Sequence, residues 1–264
     1  MTPDRRHGCR KSDAWCRTIG VTRTFVPPPG VVASWLIDLA QPDDVVRHLG
    51  SALSEDERGR AARFVFPRDR RRFVVTRACL RTLLADGADP RAVRFVYSEA
   101  GKPALEGSTP ACHFNVSHSE DLALIAIGRD AALGVDVEAV RPLPDMHNIA
   151  TRYFTRAETD DIFGVPPAAR DLAFFSCWTR KEAFSKALGD GLSLALDRYR
   201  VTCRPDEPAR LVEIDGSAHA AAEWIMHDLP PAPGFAGAVV YRGPARVLRT
   251  ERLDVSADVL ARWG

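Results

Sequence analysis

The chain has 264 residues, 45% of them hydrophobic, and a formal net charge of +1. Those values suit a soluble globular protein of one large domain or two smaller ones, with enough chain to bury a substantial core. The near-neutral total selects neither nucleic acid nor membrane, and no stretch approaches the roughly 20 apolar residues of a membrane span, so a cytoplasmic protein is expected.

Residues 1–30 end in Pro27-Pro28-Pro29-Gly30, which breaks helix and sheet alike. They read as a disordered extension, or as a start codon set too far upstream. Met1 to Lys11 is basic, but no apolar run follows, and Arg17 and Arg23 interrupt the next stretch, so it is not a secretory signal. Asp4 and Asp13 argue against a transit peptide. Val31 to Leu39 alternates as a first strand. Ser54-Glu55-Asp56-Glu57 is a helix start, and that helix runs through Arg60 and Arg63 to Pro67. Arg70 to Ala85 has the helical repeat of Phe73, Val74, Arg77, Leu80, Leu83 and Leu84. Val93–Tyr97 is a strand, Gly101-Lys102-Pro103 a turn, and Phe114–His118 a strand end leading into Leu122–Ile127. After a turn at Gly128-Arg129-Asp130, Leu133–Glu138 is the next strand.

The second half begins with short helices at Asn148–Tyr153 and Ala157–Phe163, then a long one from Asp171 to Leu188, closed by Gly189. Leu196–Cys203, Leu211–Ile214, Glu223–Met226 and Phe235–Tyr241 read as a mainly antiparallel sheet. Each half thus offers helices and then strands, with Phe64 and an Arg-rich helix echoed by Phe154 and a Lys-bearing helix. The expected class is α+β: two similar lobes, residues 31–133 and 134–264, with a cleft between them. Six cysteines (Cys9, Cys16, Cys79, Cys112, Cys177, Cys203) are irregularly spaced without a C-x-x-C pair, which favours free thiols in a reducing compartment.

Four features carry chemistry. Asp136 and Glu138 alternate on one strand, so both carboxylates face one side while Val135 and Val137 face the core. Alternation alone also produces a solvated polar face. Glu182 and Lys186 stand four apart on one helix, as an ordinary surface pair would. Phe174, Phe175, Trp178 and Phe184 make that helix apolar, which sets the acid in a cleft. Arg58, Arg60, Arg63, Arg68, Arg70, Arg71, Arg72, Arg77 and Arg81, offset by Asp69, form a basic cluster. It fits a solvated face, a nucleic-acid patch, one polyanionic small molecule or an acidic protein partner. Phe64, Phe66 and Phe73 read as core rather than as base-stacking platforms. Ser117 and His118 are neighbours on a strand and point to opposite faces, so they suit phosphate binding better than a nucleophile–base pair. No P-loop and no G-x-S-x-G elbow occurs. Together the acids and Lys186 suit a hard divalent cation with an ammonium beside it, equipment for a phosphate ester.

In order, Gly101-Lys102-Pro103, Phe114-Asn115-Val116-Ser117-His118-Ser119, Gly134-Val135-Asp136-Val137-Glu138, Trp178-Thr179-Arg180-Lys181-Glu182-Ala183-Phe184-Ser185-Lys186 and the trailing Gly191-Leu192-Ser193-Leu194 resemble the 4'-phosphopantetheinyl transferases. The closest type is the longer, monomeric one serving polyketide and nonribosomal peptide synthetases. The resemblance covers roughly residues 55–205. It implies two α+β lobes related by a pseudo-twofold, with coenzyme A in the cleft. The implied reaction moves phosphopantetheine from coenzyme A to a serine of an acyl or peptidyl carrier protein, releasing adenosine 3',5'-bisphosphate. Asp136, Glu138 and Glu182 match the family's Mg2+ ligands, and Lys186 the lysine near the pyrophosphate. Glu182 is also the candidate base. Lys102, Ser117 and His118 match positions that contact coenzyme A phosphates. Arg72, and less closely Arg60, match basic positions near the 3'-phosphate. Phe73 stands where some relatives carry a polar contact. The implied partners are coenzyme A and acidic carrier proteins, met by a positive rim.

Overall fold

The structure, a computed structural model, describes residues 25–99, 101–107, 112–129, 131–189, 194–229 and 231–259. Strand β1 (Val31–Asp38) precedes helices α1 (Asp43–Leu49), α2 (Glu55–Ala62) and α3 (Pro67–Ala85). A small hairpin follows, β2 (Phe95–Tyr97) and β3 (Pro103–Leu105), then β4 (Cys112–Ser119), β5 (Leu122–Arg129) and β6 (Leu133–Ala139). Helices α4 (Met146–Tyr153), α5 (Arg156–Gly164) and α6 (Arg170–Leu188) come next. The chain continues through β7 (Tyr199–Val201), β8 (Leu211–Ile214), α7 (Ala218–Ala221), β9 (Trp224–Asp228), β10 (Phe235–Arg242) and β11 (Val247–Arg252). The fold is α+β, as expected.

Side-chain alternation sorts these elements into layers. Trp35 and Ile37 of β1, with Ile125 and Ile127 of β5, pack with Val75, Cys79 and Leu83 of α3 in one core. Val32 and Leu36 of β1, with Leu124 and Ala126 of β5, face the other way and meet Val135, Val137 and Val239. Ala236, Ala238 and Val240 of β10 turn toward Phe174, Cys177 and Phe184 of α6. The order is therefore α3, a sheet β11-β1-β5-β4, a sheet β6-β10-β9, and α6. Strands buried on both faces need continuous apolar runs, which is what Leu122–Ile127 supplies.

The two long helices are anchored alike. Ser54 and Glu57 form a capping box at the start of α2, and Thr155 and Glu158 form one at the start of α5. Each boxed glutamate is buried and pairs with a base on the following 19-residue helix: Glu57 with Arg81 Nε at 2.6 Å, Glu158 with Lys181 Nζ at 2.8 Å. The echo between the halves thus extends to single residues.

Several sequence expectations are corrected. Residues 25–30 of the extension expected over 1–30 are ordered against the fold. Phe25 is buried edge-on against Trp35, and the Asp86 carboxylate accepts from the Phe25 and Val26 amides. Residues 1–24, with Cys9 and Cys16, lie outside the described residues, as do Asp130 and Gly191-Leu192-Ser193. The expected strand Leu196–Cys203 shrinks to β7, because residues 196–198 form a 3-10 turn. The C-terminal span does not stay with the second half. β11, which periodicity left unassigned, pairs in parallel with β1, and Leu253, Val255 and Val259 enter the α3 core. Phe66 is not core. It is 66% exposed, in extended backbone just before α3.

Candidate active site

β6 passes close beneath α6. A Cβ on Gly134 would stand 2.1 Å from the Ala183 carbonyl oxygen and 2.5 Å from the Ala187 amide nitrogen. Only glycine permits that approach. On the same face of β6, two and four residues on, stand Asp136 and Glu138, turned away from the Val135–Val137 core as alternation requires. Lys186 of α6 reaches down and donates to Asp136 Oδ1 at 2.6 Å and to Ser117 Oγ at 3.1 Å. Glu182, one turn earlier on α6, is half-buried and its carboxyl lies above the ordinary glutamate range. Burial is the main cause, the Asp136 and Glu138 charges add to it, and Lys186 opposes it. Glu138 is raised for similar reasons: burial first, partly offset by the Ser119 hydroxyl, with Asp136 adding repulsion. The three acids and Lys186 therefore act on one another, although they come from two separate motifs.

β4 edges one sheet and β6 the other. Side chains join them where a backbone ladder is missing. Asn115 Oδ1 accepts from the Val135 amide at 2.9 Å. Ser117 Oγ donates to Asp136 Oδ1 at 2.7 Å. Ser119 Oγ donates to Glu138 Oε2 at 2.7 Å and accepts from the Ala139 amide at 3.1 Å. Asn115 and Ser119 were not singled out from sequence. Their signal is the polar alternation Asn115, Ser117, Ser119 opposite an acidic one on β6. His118 is exposed on the other face of β4.

Asp136 is 4% exposed, and its Oδ2 is buried without a hydrogen-bond partner. An orphaned anionic oxygen beside two carboxyls strained as anions is a donor set that suits a hard divalent cation. One oxygen from each acid does not close to 4.8 Å, as the atoms of Glu158, Cys177 and Cys203 do. Lys186 is the cation that pairs with Asp136, at 2.6 Å. The Glu158 cluster is no rival: Lys181 already supplies its cation, and Glu158 also accepts from Thr155 and from the Val201 amide. The buried Cys177 thiol there lies above its usual range, pushed up by burial and by Cys203, and is held protonated.

The other predicted residues are dispersed. Lys102, at the turn of the β2–β3 hairpin, donates to the Lys186 backbone carbonyl at 2.7 Å, near the C-terminal end of α6. Arg72 pairs with Asp121 at 3.0 Å and Glu120 at 3.3 Å, at the β4–β5 turn. Arg60 lies over the Phe73 ring, 5.2 Å from its centroid. The basic cluster does not form one free patch. Arg77 and Arg81 are spent on Glu57, and Arg71 on Asp43. Of the Trp178–Lys186 motif, Arg180 and Lys181 turn inward to Asp228 and Glu158.

Two family models match this chain. That of the 4'-phosphopantetheinyl transferase superfamily covers residues 132–240, and that of the 4'-phosphopantetheinyl transferase N-terminal region covers residues 41–129. The chain is 37% identical over 231 residues to the 4'-phosphopantetheinyl transferase HetI of Nostoc sp. (strain PCC 7120), spanning 83% of this chain and 94% of that one. It is 30% identical over 210 residues to the 4'-phosphopantetheinyl transferase psf-1 of Bacillus pumilus, covering 79% and 87%. With the 4'-phosphopantetheinyl transferase Sfp of Bacillus subtilis (strain 168) it shares 32% identity over 173 residues, covering 60% and 75%. These relatives are transferases, and the chain is one of that class. The chain belongs to the 4'-phosphopantetheinyl transferase superfamily.

Proposed function

We propose that this protein transfers 4'-phosphopantetheine from coenzyme A to a serine of an apo acyl or peptidyl carrier protein, as a cytoplasmic monomer. The observation that carries the reading is the Lys186–Asp136–Ser117 cluster with Glu138 and Glu182 acting on it. Asp136, Glu138 and Glu182 would hold magnesium, which supplies charge neutralisation for a pyrophosphate.

The protein's own groups account for the remaining needs. Lys186 is a cation 2.6 Å from Asp136 and would turn from it toward a phosphate oxygen. Lys102 stands beside it, and Ser117 and His118 offer further phosphate contacts. Arg72 and Arg60 are the candidates for the 3'-phosphate, with Arg72 exchanging Glu120 and Asp121 for it. The carrier serine Oγ attacks the β-phosphorus of coenzyme A. The new P–O bond forms as the bond to the bridging oxygen breaks, and adenosine 3',5'-bisphosphate leaves with that oxygen. The serine proton passes to Glu182, directly or through water. The raised affinity of Glu182 for a proton suits it to that task. Incubating the enzyme with magnesium, coenzyme A and several apo carriers tests the reading. Each competent carrier gains the mass of one phosphopantetheine. No gain on any carrier, with the enzyme folded, would refute it.

A further inference from the structure

We propose that a groove between α1, α2 and α3 docks an acidic amphipathic helix of a protein partner, separately from the carboxylate site. The groove holds about 950 Å³. Its rim carries Arg47, Arg58, Arg70 and Arg71 against one acid, Asp43. Val46, Phe64 and Val74 give it an apolar floor. Asp43 is already paired with Arg71 at 2.8 Å, and Arg58 donates to the Leu53 carbonyl. Among the described residues, Arg47 and Arg70 hold no ion pair. The rim therefore keeps an uncompensated positive charge.

The connection from α2 to α3 adds apolar surface at the edge. Val65 is 85% exposed and Phe66 66%. Exposed apolar side chains beside cations mark a contact surface more often than a solvated face. A helix with an apolar stripe flanked by carboxylates matches both parts at once: the stripe covers the floor and the acids meet the arginines.

The chain's own N-terminal segment is a poor occupant. Arg5, Arg6, Arg10, Lys11, Arg17 and Arg23 outweigh Asp4 and Asp13, so the rim repels it. Nucleic acid would leave the apolar floor uncovered. The groove also lies across α3 from Arg72, since Arg70, Arg71 and Val74 share one helical face and Arg72 points to the β4–β5 turn. It is thus a second surface and does not depend on the transferase reading.

The test uses the full chain and a fluorescein-labelled helical peptide of about 18 residues, some five turns, with Leu and Phe on one face and Glu and Asp flanking them. Anisotropy is expected to show binding that weakens with salt, ~10-fold weaker in Arg47→Glu/Val65→Ser and ~10-fold weaker for a scrambled peptide, and unchanged by coenzyme A. Transfer onto an excised carrier stays within about two-fold in the same variant, since neither residue contacts the carboxylate site. Absent binding, equal affinity of variant or scrambled peptide, displacement by coenzyme A, or tighter Arg47-dependent binding of an oligonucleotide would each overturn the proposal. Lost transfer in the variant would also overturn it, by making the groove part of the catalytic site. Failure of the groove with transfer intact leaves the transferase reading standing.

Discussion

At the scale of single residues, burial and mutual repulsion act on Glu138 and Glu182 in the same direction: both hold a proton more tightly folded than unfolded. Between the ordinary glutamate value of about 4.3 and the raised one, the native state binds more protons, so stability falls as pH rises through that window. Glu138→Gln removes the penalty. It should melt above wild type at pH 7–8, and the gap should close below about pH 3, where both states are protonated. A gap that widens in acid would contradict the assignment. Magnesium should stabilise wild type near neutrality and lose that effect as the acids protonate. Glu182→Gln should lower kcat/KM by ~10²–10⁴ while melting at or above wild type near neutrality, as Glu138→Gln does, if this side chain takes the serine proton. Near-full activity would remove it from that role.

At the scale of elements, the site depends on how close α6 can lie to β6. Gly134→Ala puts a methyl group where the Ala183 carbonyl and Ala187 amide now stand, and backbone cannot yield as a side-chain tip does. Overpacking of this kind costs about 1–3 kcal/mol. It should also lift Glu182 and Lys186 off Asp136, so activity falls further than stability does. A urea titration beside a transfer assay separates the two effects, and wild-type activity in a destabilised Gly134→Ala would contradict the packing argument. The buried Glu57, paired with both Arg77 and Arg81, gives a second test: Arg77→Ala/Arg81→Ala leaves its charge unpaired in a core and should cost about 3–5 kcal/mol. A change under about 1 kcal/mol, as for a surface pair, would show that solvent reaches Glu57.

These elements also show what the sequence made legible. The alternation of Asp136 with Glu138 and the four-residue step from Glu182 to Lys186 are local geometry, and local periodicity determines which side chains share a face. The fate of the arginines is not local. Glu57 lies 24 residues from Arg81, Asp43 28 from Arg71 and Asp121 49 from Arg72, so composition counted as free cations what the fold neutralises. Asn115 and Ser119 escaped notice because their task, tying two sheet edges together, exists only once β4 and β6 are side by side.

At the scale of the whole molecule, the C-terminal segment returns to the first half. β11 extends the sheet beside β1, and Leu253 enters the α3 core. No hydrophobic period announces β11, because its side chains are mostly exposed and its partner is 216 residues earlier in the pairing of Val31 with Val247. Ending the chain at Arg246 should cost several kcal/mol, from burial lost at Leu253, Val255 and Val259 at about 1.5–3 kcal/mol each. Hydrogen exchange should quicken in β1 and α3 before α6 and β10. Uniform loss of protection would show that the layers unfold as one unit. The central claim is that Asp136, Glu138 and Glu182, distant in the chain, share one cation beside Lys186. Manganese titrated into the protein with coenzyme A present, and read by electron paramagnetic resonance, addresses it most directly. The account predicts one bound ion in wild type and none in Asp136→Asn or Glu182→Gln. Equal stoichiometry in all three proteins would contradict it.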